Sequence, residues 1–99
     1  MIYEKVKLKN KQADGFVIPL GSLNLVGVIT DIGMVGCGAF DVAALDNFSY
    51  PAVRVKSAKG SAIATIEDLL EGIVKDANAG AAKLGVRAGM TGKEALDLM

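Results

Sequence analysis

The hydrophobic spacing of this chain changes character part-way along. Up to Lys56 apolar residues mostly recur at every second position or form short β-branched runs, and from Thr65 they recur every three or four. Side chains alternate faces along a strand and return to one face every 3.6 residues along a helix. A chain ordered in this way supplies a sheet first and packs helices on it afterwards. Its 99 residues suffice for one domain, spanning residues 1–99, with one hydrophobic core.

Ile2 to Leu8 alternates, and Asn10 to Gly15, ending in Asp14-Gly15, reads as a turn into a second strand over Phe16 to Leu20. After Gly21-Ser22, the nearly continuous apolar run Leu25 to Thr30 has the pattern of a central strand. A glycine-rich bend over Gly33 to Asp41 follows, then a short helix over 41–48 that Pro51 stops, and a strand over Ala52 to Lys56 with Arg54 and Lys56 outward. Lys59-Gly60-Ser61 reads as a turn. Thr65 is the expected N-cap of a helix over 66–71, with Glu67 and Asp68 suited to its positive end. Gly72 argues for a break before a second helix over 76–84, closed by Gly85 as a left-handed cap with Val86 behind it. Thr91 to Glu94 is a capping box opening a last short helix.

The expected fold is α+β: a mixed or mostly antiparallel sheet of four to five strands with helices mainly on one face. The helix over 41–48 permits one parallel strand pair.

Composition narrows the function classes. Apolar residues are 52% of the chain and aromatics only 5%, so small aliphatic side chains fill the core and leave little room for a large internal cavity. That shortage, with the high apolar fraction, points to a homo-oligomer. Eleven basic and eleven acidic residues cancel, which removes the general electrostatic case for nucleic acid. Lys5, Lys7, Lys9 and Lys11 nonetheless recur at period two, opposite Ile2, Val6 and Leu8. They read as the charged face of an edge strand guarded against aggregation, or as a phosphate-binding stripe. No apolar run reaches the roughly 18 residues of a membrane helix. With no signal pattern at the start and a single cysteine, the chain suits a reducing cytoplasm. One thiol and no histidine cannot furnish zinc or an iron–sulfur cluster, and no cofactor or metal is expected.

The glycine bend is the segment with chemical interest. Cys37 lies shortly before a helix start, where free amides favour a thiolate, and flanking Gly36 and Gly38 let an anion approach the backbone. Asp41 then stands as an orienting carboxylate or general base, although its charge opposes a thiolate and no histidine relays a proton. The competing reading makes Cys37 a small buried hydrophobe and Asp41 an N-cap. Thr91, Gly92 and Lys93 open a helix and form a second candidate anion site. Neither Gly36-Cys37-Gly38 nor Gly92-Lys93 completes a nucleotide fingerprint.

Four ordered stretches are together distinctive: Gly33-Met34-Val35-Gly36-Cys37-Gly38-Ala39-Phe40-Asp41, Thr65-Ile66-Glu67-Asp68-Leu69-Leu70, Ala81-Ala82-Lys83-Leu84-Gly85-Val86 and Gly89-Met90-Thr91-Gly92-Lys93-Glu94-Ala95-Leu96. They resemble the YunC-like family of small archaeal and bacterial proteins over about residues 16–99. The resemblance implies a two-layer α+β sandwich of unknown function and singles out Cys37, Gly38, Asp41, Thr65, Gly85, Gly89 and Glu94. Gly36 departs from that pattern, which commonly has methionine there, and the departure implies a looser loop. Function is thus expected to be a small homo-oligomeric binding or assembly module. The alternatives are an enzyme using the Cys37/Asp41 loop and an anion or nucleotide site at helix N-termini.

Overall fold

The computed structural model describes residues 1–99. Six strands form one sheet in sequence order: β1 (Ile2–Lys7), β2 (Gln12–Pro19), β3 (Asn24–Ile29), β4 (Met34–Gly36), β5 (Ala52–Lys56) and β6 (Ile73–Ala77). All neighbours are antiparallel except β4 and β5, which are parallel and joined through helix α1 (Val42–Asp46). Helices α2 (Ile66–Glu71), α3 (Ala79–Lys83) and α4 (Gly92–Asp97) complete the α+β fold.

The sheet has six strands, not the four to five expected, and both extra strands have a physical origin. β4 is three residues long and ends in the glycine bend, so its pairing partners, not its own composition, make it a strand. β6 is hidden in the sequence because Ile73 and Val74 continue the three-and-four spacing of Ile66, Leu69 and Leu70, and the expected break between helices over 66–71 and 76–84 is instead a strand that also takes in residues 76–77. Gly72 leaves the helical region at φ −64°, ψ 164°, and the chain runs on extended beside β5. Only the end of the expected helix over 76–84 is helical, as α3. The Asn10–Gly15 turn is also shorter than expected, since β2 begins at Gln12 and Asp14-Gly15 pairs with β1. β1 stops at Lys7, so Lys9 and Lys11 lie beyond the edge strand, where the Lys9 amide donates to Asp97 in α4.

Strand alternation divides the sheet's side chains between two faces. Val6, Val17, Val26, Val28, Val35, Val53, Val55 and Val74 join Ile66, Leu69, Ala95, Leu96 and Met99 in the main core beneath α2 and α4. On the opposite face Met34 and Ala52 pack against Val42 of α1. A cross-strand row runs along that face through Tyr3, Phe16, Gly27, Gly36, Arg54 and Asp76, each residue paired with the next. Helix ends behave as their sequences require. Thr65 and Thr91 both form capping boxes, with Asp68 and Glu94 returning the bond. Gly85 takes φ 100° as the amide of Val86 closes on the Ala81 carbonyl. No helix is long and apolar enough to cross a membrane.

Candidate functional site

The β2–β3 hairpin, the carboxyl ends of the parallel pair β4 and β5, and the loop entering α2 enclose a surface cleft of about 490 Å³. Ligand sites in sheets with parallel strands gather at such carboxyl ends, because the chain leaves the sheet there and the loops diverge. Cys37 and Gly38 line the cleft directly after β4, and Val55, Lys56 and Ser57 line it at the end of β5. Ser22, Asn24 and Ser61 add polar groups from the flanking loops. The Asn24 amide donates to the Ala64 carbonyl at 3.0 Å and ties the hairpin to the far wall.

The charged lining residues are Arg54, Lys56 and Lys75, and the cleft has no carboxylate in its wall. Local backbone geometry brings these cations together. Arg54 and Lys56 stand two apart on β5 and so share a face, and the β5–β6 register shifts between Arg54 and Val55. Arg54 pairs with Asp76 and Val55 with Val74, so Lys75 is the extra residue of a bulge. A bulge re-aims its side chain, and here Lys75 lines the cleft beside the two cations of β5. Sequence reasoning missed all three as site residues. Arg54 and Lys56 had only their outward alternation to mark them, and Lys75 falls in the expected break between the helices over 66–71 and 76–84.

Cys37 is a free thiol with 6% of its surface exposed, and it belongs to the main core as well as the cleft wall. Its amide donates to the Val26 carbonyl at 3.0 Å, extending the β3–β4 ladder one residue past β4, and its carbonyl accepts from the Phe40 amide. Gly36 does not leave the bend loose. A Cβ there would lie 2.3 Å from the Phe40 ring, which occupies the space a larger residue would fill and meets Phe16 edge-on at 6.3 Å between centroids.

Asp41 is the N-cap of α1, accepting from the Ala44 amide at 3.0 Å. It lines a second, neighbouring cleft of about 420 Å³ with Asp46, Asp76 and Asn78. The two clefts share Arg54, so the structure sets Cys37 and Asp41 on either side of that residue. Thr91, Gly92 and Lys93 line neither cleft. Thr91 accepts from the Glu94 amide, the Gly92 amide donates to the Gly72 carbonyl at 2.8 Å, and Lys93 is exposed. A Cβ on Gly92 would sit 2.3 Å from the Leu69 carbonyl oxygen, so glycine at this position serves the close crossing of α2 and α4. Metal-ligating side chains form no group of three.

Known proteins share this architecture. A family model described as a domain of unknown function (DUF1805) matches residues 36–99, the segment from the end of β4 through α4. The chain is 29% identical over 91 residues to an uncharacterized protein, YunC, of Bacillus subtilis (strain 168), an alignment covering 92% of this chain and 89% of that protein. The crystal structure of a protein of unknown function, TA1206 from Thermoplasma acidophilum, superposes with a TM-score of 0.85 at 23% identity. That match covers 97% of this chain and 89% of the other.

Proposed function

We propose, from the premise that the chain belongs to the DUF1805 family, that it is a small-molecule binding module whose cleft at the carboxyl ends of β4 and β5 takes an anionic ligand. One observation carries this reading: Arg54, Lys56 and Lys75 converge on a cleft that has no acidic side chain in its lining. Arg54 is paired with Asp76 from outside that wall, whereas Lys56 and Lys75 have no ion-pair partner, and an anion neutralises their charge while accepting hydrogen bonds from the cleft. Cys37 and Gly38 form the floor on the β4 side, and Ser22, Ser57 and Ser61 offer neutral donors. The buried free thiol suits a reducing, cytoplasmic setting.

Titration with a panel of small anions tests the reading. The double variant Lys56→Gln, Lys75→Gln should weaken binding by about tenfold, since each exposed charge contributes a few tenths to 1 kcal/mol. Unchanged affinity in that variant would place the anion elsewhere.

A second observation favours assembly of copies. On the face opposite α2 and α4, Tyr3 and Ile29 are exposed and Phe16, Ile18 and Leu25 half-buried on adjacent strands. Lys5 and Asp14, paired at 2.6 Å, sit on the same face. A two-fold-related copy meets such a face with its apolar residues and its opposite charges matched, so the occupant we assign is a second copy of this chain.

A further inference from the structure

We infer that Arg54 selects the ligand's headgroup and that Asp76, which forms no part of the cleft wall, sets the geometry of that selection; the inference rests on the anion-binding reading above. Arg54 lies in the wall common to both clefts. Its Nε donates to Asp76 Oδ2 at 2.9 Å and its Nη2 donates to the same oxygen. The side edge of the guanidinium is therefore committed to a carboxylate on the second cleft's side. Nη1 has no partner within the chain, and Nη2 retains one further hydrogen. The end edge, formed by these two nitrogens, remains available for a ligand.

A guanidinium edge presents two parallel donors, which match the two oxygens of a carboxylate or of a phosphoryl group and do not match a spherical anion. Asp76 can fix the plane of that fork because β5 and β6 place the two residues directly opposite one another, immediately before the bulge. The same bulge turns Lys75 into the cleft, where it and Lys56 act as point charges without directional preference. Leu23, Ala39, Val55, Ala62 and Ile63 line the remainder of the cleft, giving the anion an apolar wall. The ligand class this assigns is a small molecule with an apolar body ending in a carboxylate or phosphoryl group.

Asp76 acts through Arg54, so its role shows in selectivity and not in affinity alone. Removing its negative charge strengthens the general attraction for anions, while freeing the guanidinium plane removes the preference among them. Hexanoate, hexyl phosphate and bromide are the probes, titrated into isotopically labelled protein and followed at the amides of Cys37, Gly38 and Ser57.

The wild type is expected to prefer hexanoate or hexyl phosphate to bromide, the tighter of the two identifying the headgroup. Asp76→Asn and Arg54→Lys should each reduce that preference about fivefold, equivalent to about 1 kcal/mol. Lys56→Gln should weaken all three anions alike. Wild-type preference retained in both Asp76→Asn and Arg54→Lys would overturn the inference while leaving the cleft as an anion site. Absence of any response at the cleft amides of the wild type would overturn the anion-binding reading itself, and this inference with it.

Discussion

Asn78 shows how much of this fold a single side chain holds. It is buried, and its carbonyl oxygen accepts from the Ala52 and Ala81 amides while its amide nitrogen donates to the Val42 and Tyr50 carbonyls. One residue thereby satisfies the start of β5, the first turn of α3, α1 and the segment after α1. Every polar atom it carries is matched, and no buried side-chain nitrogen or oxygen in the molecule lacks a partner. Asn78→Ala would strand several of these backbone groups without water. We expect a loss on the order of 3 kcal/mol in urea unfolding, since each orphaned buried group costs about 1–3 kcal/mol. A loss below about 1 kcal/mol would show that the segments hold their places without it.

At the scale of elements, the helices here are short, and their ends contribute out of proportion to their length. α2 has six residues and a capping box in which Asp68 Oδ2 accepts from the amides of Ala64 and Thr65. The Ala64 amide, chief among these influences, holds the Asp68 carboxyl below its ordinary value of 3.8. A carboxyl depressed in the folded state contributes stability above the unfolded value, and that contribution is lost as pH falls through the folded one. Asp68→Asn should therefore reduce stability at pH 7 and narrow the difference between wild type and variant below the ordinary carboxylate range. Parallel urea unfolding at the two pH values checks the sign.

The Thr91–Glu94 capping box was legible in the sequence because it depends on residues three apart, and Thr65 was legible as an N-cap, though not the bond that Asp68 returns to it. So were β5 and the left-handed Gly85, each written in a local pattern. β4 and β6 were not. Three residues carry no period, and Ile73-Val74 fits either a helix or a strand until β5 is known to lie alongside. The cationic cleft was hidden for the same reason. Arg54 and Lys75 are far apart in sequence, and only the bulge in β6 sets them in one wall. Cys37 and Gly38 were found because glycines flanking a lone cysteine stand out locally. Asp41 was found too, but adjacency in sequence did not reveal that it faces the neighbouring cleft.

At the scale of the whole molecule, the sheet is used unequally. One face is sealed by α2 and α4, whereas the other is covered by α1 only where β4 and β5 lie. Self-association through the uncovered part should appear in sedimentation equilibrium as a mass that is a multiple of the monomer. Ile18→Glu, placing a charge on that face, should shift the population to monomer without unfolding it; a wild type that stays monomeric at high concentration would contradict the assignment. The cleft lies at the carboxyl ends of β4 and β5, and its cations are the centre of the functional account. The most direct test is a map of amide shifts during titration with hexanoate. The largest changes should fall on Cys37, Gly38, Lys56 and Ser57 and saturate together. Saturating changes at Thr91, Gly92 and Lys93 with the cleft amides unmoved would contradict it.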